Sequence, residues 1–370
     1  MTSTIVISDL HLGSRRPVDI PRRPEPLAAL CERLAEADRL VLLGDVLELR
    51  HGPQRDALRI AQPVMEAIGD ALPRHAEIVI TPGNHDHALI APWLLGRALH
   101  DEPAPLGLET WVAAADASAG AAALGSWLAG GRRKRAVDLA YPGVWLRDDV
   151  WATHGHYLDR LITVPTFERL AAGGMARVVG KLPEQGARAE DFEAGLAPMY
   201  AWLDTLANSP AAGGSWATTA PTAKTWALLS GDGRAPLRGR ALAALLPLGI
   251  AGLNLAGIGP VRAQLGSDDL RLANVAAIVG VVRALAVPAR HVIFGHTHCA
   301  GPLPAMDPAQ WRDGDLQVHN SGCWTDEPMI ESRADHSPYR PGRAVVLQDD
   351  DAPRVETLAQ DIGERPDHGY

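Results

Sequence analysis

Residues 291–301, HVIFGHTHCAG, place two imidazoles one residue apart behind an apolar run. Imidazole can ligate a metal, transfer a proton or simply sit in a polar turn after a core strand, and a single His-x-His does not separate these roles. The same pairing of an apolar run with polar donors occurs four more times. Ser8-Asp9-Leu10-His11 follows Thr4-Ile5-Val6-Ile7, and Gly44-Asp45 follows Leu40-Val41-Leu42-Leu43. Gly83-Asn84-His85-Asp86 follows Ile78-Val79-Ile80, and Thr153-His154-Gly155-His156 follows Val150-Trp151-Ala152. Asp, Asn and His are oxygen and imidazole donors suited to Mn, Fe or Zn. Two divalent cations need a bridging carboxylate and several ligands each. Held about 3.5–4 Å apart, they clamp and activate a nucleophile for in-line attack at phosphorus. The inventory is sufficient for that chemistry.

The elements that must position these donors read as α/β. Continuous β-branched and leucine runs are the signature of strands covered on both faces. Helical spacing over 26–38 and 56–72 separates the first three, and strand–helix–strand–helix–strand implies parallel pairing through βαβ units. In such sheets sites form at the carboxyl ends of the strands, so the five polar clusters should converge on one rim. Residues 104–135 are rich in Ala and Gly and end in the basic run Arg132-Arg133-Lys134-Arg135, read as a solvated patch. Residues 165–285 carry Ala-rich helical segments, several Trp and the break Gly231-Asp232-Gly233. Strands resume at 291–294, near 316–319 and at 344–348, and a polar tail closes the chain.

The ordered set D-x-H, G-D, G-N-H-D, H-G-H and G-H-T-H, between residues 9 and 298, resembles the calcineurin-like metallophosphoesterases. The resemblance implies a four-layer α/β/β/α sandwich of two mixed sheets with a helical cap insertion. The core would be 1–164 and 286–350, the insertion 165–285 and the tail 351–370. It implies two divalent metal ions (Mn, Fe or Zn): one on Asp9, His11, Asp45 and His298, the other on Asp45, Asn84, His154 and His296, with Asp45 bridging. His85 would contact the substrate phosphate and assist the leaving oxygen, and Asp86 would orient His85. The implied activity is hydrolysis of a phosphate mono- or diester by in-line attack of a metal-bound hydroxide. The motifs S-D-L-H-L-G and Gly44-Asp45-Val46-Leu47-Glu48 are also similar to the UDP-diacylglucosamine pyrophosphohydrolases, which act on a lipid-like substrate, but that group carries Arg where this chain has His85. Some family members are metal-holding scaffolds for partner proteins; the complete ligand set here favours an enzyme.

Several residues have blander readings. Asn84 also suits a Gly-Asn turn. His156 is either a substrate contact or a polar loop residue, and His87 is read as lying behind the ligands or in solvent. Arg15 and Arg16 grip a phosphate or belong to a solvated loop. Asn320 and Cys323 follow a strand and line the rim. A net charge of −9 in 370 residues argues against non-specific nucleic-acid binding. Cys31, Cys299 and Cys323 form no disulfide framework, and no secretory signal is visible before the first strand, so a cytoplasmic location is expected. The uncharged stretch 241–261 approaches the ~20 residues a bilayer span needs. A single span would separate His296 and His298 from Asp9, so it is read as a buried cap helix or an apolar wall for a lipid-like ligand, with only peripheral membrane contact open.

Overall fold

The computed structural model describes residues 2–130, 135–163, 167–180, 182–183, 186–208, 267–327 and 332–364. The uncharged stretch 241–261 and most of the basic run at 132–135 lie outside them. Among the described residues no helix is long and apolar enough to cross a membrane. The chain divides into two compact units. One comprises Met1–Gly155, Leu203–Gly213 and Pro288–Tyr370; the other comprises His156–Trp202 and Gly214–Val287.

The first unit is built on two mixed sheets with flanking helices. Its strands are β1 (Ser3–Ile7), β2 (Arg39–Leu42), β3 (Glu77–Ile80), β4 (Thr110–Ala113), β5 (Val137–Tyr141), β6 (Gly143–Arg147), β7 (Val150–Thr153), β8 (His291–Phe294), β9 (Arg312–Asp313), β10 (Leu316–Asn320), β11 (Arg343–Gln348) and β12 (Arg354–Thr357). The seven-stranded sheet runs β12-β11-β1-β2-β3-β5-β4, the five-stranded sheet β6-β7-β8-β10-β9. β1, β2, β3 and β5 are parallel, as are β7, β8 and β10. Side chains alternate across a strand. Val6, Val41, Leu43 and Val79 from one sheet and Val150, Ala152 and Ile293 from the other therefore share one buried core between the sheets.

The intervening residues Ile5, Ile7, Leu40 and Leu42 are also fully buried, which is why these strands read as unbroken apolar runs. The helices have matching faces. In Gln54–Ala71 the buried residues Ala57, Ala61, Val64, Met65 and Ile68 recur at helical spacing, a stripe that must be covered. This helix packs against Ala119–Leu128 and Pro24–Leu34.

Two boundaries differ from the sequence reading. The expected 351–370 tail begins with β12, an edge strand antiparallel to β11. Its polar Arg-Val-Glu-Thr sequence suits a strand with one face in water. The chain also leaves the first unit at residue 155, ahead of the expected 164. From His156 a one-turn helix packs into the second unit, where Tyr157 stacks on Phe192 with ring centroids 4.8 Å apart and planes 8° off parallel. The described elements of that unit are helical: Phe167–Val179, the part of Ala189–Asn208 up to Trp202, and Ser267–Ala284.

Candidate metal centre

Every ligand candidate sits just beyond the carboxyl end of a parallel strand. Asp9 and His11 follow β1, Asp45 follows β2 and Asn84 follows β3; His154 follows β7, and His296 and His298 follow β8. Both sheets therefore contribute, and the donors meet across the end of the sandwich. The backbone turns sharply there. Asp9 (φ 55°), His11 (46°), Asp45 (50°), His296 (66°) and His298 (57°) all adopt the left-handed region. For a non-glycine residue this costs about 1–2 kcal/mol, and its concentration on five of seven donors marks a site where the surroundings hold strained backbone. Gly44, at φ 85°, has no such cost, and a Cβ there would collide with the His154 ring.

One group is Asp9, His11 and His298. Asp9 Oδ2 accepts from the Ser8 hydroxyl and from the His296 amide at 3.0 Å. Asp9 Oδ1 is buried without a hydrogen bond and lies 3.3 Å from His298 Nε2 and 3.9 Å from His11 Nε2. The far nitrogens of both rings are engaged: His11 Nδ1 meets Glu48 Oε2 at 3.1 Å, and His298 Nδ1 meets Thr325 Oγ1 at 3.4 Å. Such outer partners fix ring orientation and leave the inner nitrogen as the donor. The two inner nitrogens are 3.2 Å apart.

The second group is Asp45, His154 and His296, joined by Asn84. His154 Nδ1 donates to the Leu43 carbonyl at 2.9 Å, which leaves Nε2 facing inward. Asn84 Oδ1 lies 3.1 Å from that Nε2 and 3.0 Å from His296 Nδ1, and the same position is 3.2 Å from Asp45 Oδ2. With both ring nitrogens free of protons, as ligation requires, four lone-pair atoms face one another. Turning the Asn84 amide over would relieve this with an NH2; a cation relieves it with the oxygen as ligand. The second solution also accounts for the unpaired Asp9 Oδ1, and the donor set fits two divalent ions.

Asp45 links the groups. Its Oδ2 is 3.3 Å from His154 Nε2 and 3.8 Å from His11 Nε2, and its Oδ1 accepts the His85 amide at 2.7 Å. Burial would raise its carboxyl, but His154, His85 and His11 hold it well below the usual range.

The expected His85–Asp86 pairing does not form. Asp86 is fully buried, and its carboxylate accepts the amides of Gly83 (2.7 Å), Val46 (2.8 Å), Asp45 (3.3 Å) and Leu47 (3.3 Å). The partner of His85 is instead Glu48, with Nδ1 2.8 Å from Oε2. The reason is directional: with His85 amide-bonded to Asp45, the next side chain turns inward beneath the loops. Glu48 was not singled out in the sequence; its signal is an acid three residues after Asp45 that is nevertheless buried. Burial of Glu48 is outweighed by His85, His51 and His11, which keep it ionised. Burial pushes the His85 imidazole down to about 4, with Glu48 opposing and Arg50 reinforcing.

The remaining candidates separate clearly. Asn320 is fully buried and donates to the Gly295 carbonyl (2.8 Å) and Thr297 Oγ1 (3.0 Å), tethering the loop that carries His296 and His298. Cys323 is buried, its thiol 3.6 Å from the Thr325 carbonyl. His87 is buried against Tyr141 rather than solvated. His156 lies in the second unit with its ring against Tyr157 and Tyr200. Arg15 and Arg16 are exposed.

No curated protein matches the chain. Among solved structures, a dimetal phosphatase from Danio rerio is similar at 13% identity, aligned over 96% of this chain and 99% of its own, with a TM-score of 0.36. The sequence model of the calcineurin-like phosphoesterases matches residues 2–230.

Proposed function

The chain belongs to the calcineurin-like phosphoesterase family and is a metal-dependent phosphoester hydrolase, and on that premise we propose that it cleaves a small-molecule phosphate ester at a two-cation centre. Asp9, His11, His298 and Asp45 would hold one cation; Asp45, Asn84, His154 and His296 would hold the other. When bound, the pair supplies charge neutralisation on the phosphate and an activated water. The chain's own residues do the rest. Ser8 and the His296 amide hold Asp9, Glu48 holds His11, and the Leu43 carbonyl holds His154, so the donors are aimed before a ligand arrives. His85, 23% exposed at its side chain, would meet the leaving oxygen. Its Nδ1 proton faces Glu48, so donation from Nε2 needs the imidazolium; burial and Arg50 oppose that form, and Glu48 and a bound phosphate dianion favour it.

The observation that carries this reading is Asp45 Oδ2, which faces a histidine of each ligand group. Manganese-loaded protein should hydrolyse 4-nitrophenyl phosphate, and Asp45→Ala should lower the occupancy of both cations by elemental analysis. Absence of bound transition metal under every loading condition would sink the proposal.

A further inference from the structure

The loops after β1 and β2 remain paired beyond the ligands they carry. Asp9 N–H donates to the Gly44 carbonyl (3.0 Å), His11 to Asp45 (2.8 Å), Leu12 to Val46 (2.9 Å) and Glu48 to Leu12 (2.9 Å). Ser14 Oγ meets His51 Nδ1 at 3.3 Å. This two-stranded extension sets residues 14–16 beside residues 50–52. Three cationic or proton-accepting side chains meet at its end. Arg50 Nη1 stands 3.2 Å from the Asn84 side-chain amide, against the metal ligands. His51 is 3.7 Å from Glu48 Oε2. Arg15 lies over Gly52, where an added Cβ would stand 3.1 Å from its Nη2 and 3.2 Å from its Nε.

The rim gathers basic side chains beside the buried carboxylate of Glu48. Against a net −9, the rim carries Arg15, Arg16, Arg50 and His51. Of the neighbouring arginines, Arg22 pairs with Asp19 and Arg23 with Asp326. Among the described residues no carboxylate pairs with Arg15. Planar guanidinium groups bind phosphate oxygens two at a time, and binding to a non-reacting part of a substrate can be used to position the reacting part.

We propose that Arg15, Arg50 and His51 form a second anion subsite, which holds a non-reacting phosphate and makes a phosphoanhydride the preferred substrate. The proposal rests on the phosphoesterase reading above and adds the substrate class. With the reacting phosphate at the ligand cluster, an adjoining phosphate reaches Arg50 first and Arg15 beyond it. Hydrolysis joins the water oxygen to the reacting phosphorus, breaks that phosphorus's bond to the bridging oxygen and leaves a proton on the departing phosphate.

The test uses the manganese-loaded full chain with three substrates: 4-nitrophenyl phosphate, adenosine monophosphate and adenosine diphosphate. The wild type should favour the diphosphate over the monophosphate in kcat/KM by about tenfold or more. Arg15→Gln and Arg50→Gln should each reduce that preference by about tenfold, chiefly through KM. Arg59→Gln, an exposed arginine paired with Asp56 on the neighbouring helix, should leave activity and preference unchanged. If Arg50→Gln fails to fold, exposed Arg15 still decides the matter. Equal use of both nucleotides overturns the subsite, as does a variant that slows both alike. Hydrolysis of the nitrophenyl ester without a diphosphate preference sinks the subsite alone; hydrolysis of none of the three sinks the phosphoesterase reading with it.

Discussion

Glu48 binds two histidines with different tasks, and that makes its role separable by mutation. It touches His11 at 3.1 Å and His85 at 2.8 Å through the same oxygen. His85→Ala should lower kcat on alkyl phosphate esters by about 10²–10⁴, the usual range for general-acid assistance, and by much less on nitrophenyl esters, whose leaving oxygen needs no proton. Its metal content should stay at the wild-type level. Glu48→Gln should show the same ester dependence and, in addition, bind metal about 10–100-fold more weakly, because the outer partner of a ligand is lost. Equal losses of His85→Ala on both ester types would assign His85 to phosphate binding; undiminished metal affinity in Glu48→Gln would remove it from the support of His11.

Loops after β2 and β3 are joined by one buried carboxylate. Asp86 gathers amides from Gly83 on its own loop and from Asp45, Val46 and Leu47 on the other. It thereby fixes the spacing between Asp45 and Asn84, one donor from each loop. Leaving a buried amide unpaired costs about 1–3 kcal/mol, so Asp86→Ala should destabilise the chain by several kcal/mol, on the order of 3 or more. Thermal melting with and without manganese reads this directly. The variant should melt earlier in both states, whereas His85→Ala should not. An Asp86→Ala protein as stable as the wild type would show that the clamp is idle. Asn320 plays the corresponding part for the loop after β8, through Gly295 and Thr297.

For the molecule as a whole, the centre couples pH, metal and stability. Burial lowers His154, but Asp45 and Asp9 outweigh it and push the ring up to about 9. His298 is likewise raised well above 6.5, burial being outweighed by Asp9. A folded-state value above the ordinary 6.5 means that the stabilisation is full below 6.5 and is lost as pH rises through about 9. The metal-free protein therefore loses this contribution across that window. Cations compete with these protons, so their binding strengthens over the same range. The difference in Tm between manganese-loaded and metal-free protein should widen from pH 6.5 to 9. Groups remote from the centre titrate in both forms and cancel. His319 is one of these, pushed down to about 3 by burial and the neighbouring His291 and Arg312. A gap that narrows over that range would contradict the coupling.

The donors and the order of their strands were legible in the sequence because two local signals coincide there. Fully buried parallel strands leave unbroken apolar runs such as Ile5–Ile7 and Leu40–Leu43, and the turns beyond them must be polar where they meet a cation. Short edge elements left no such mark: β4, with Trp111 exposed, and polar β12 were not anticipated, since a strand with one wet face carries little hydrophobic signal. Partner choice was decided only by the tertiary structure. Asp86 is the residue next to His85, whereas Glu48 lies 37 residues away on another loop, and which one reaches the ring depends on how far each loop turns after its strand. The left-handed backbone at Asp45 and the amide bond from His85 to its carboxylate settle that, turning Asp86 beneath the loops and bringing Glu48 to the ring. The approach of Arg15 to Arg50 and His51 has the same origin: Arg15 lies on the loop after β1 and the other two on the loop after β2, and the backbone pairing that continues past both strands brings the loops together.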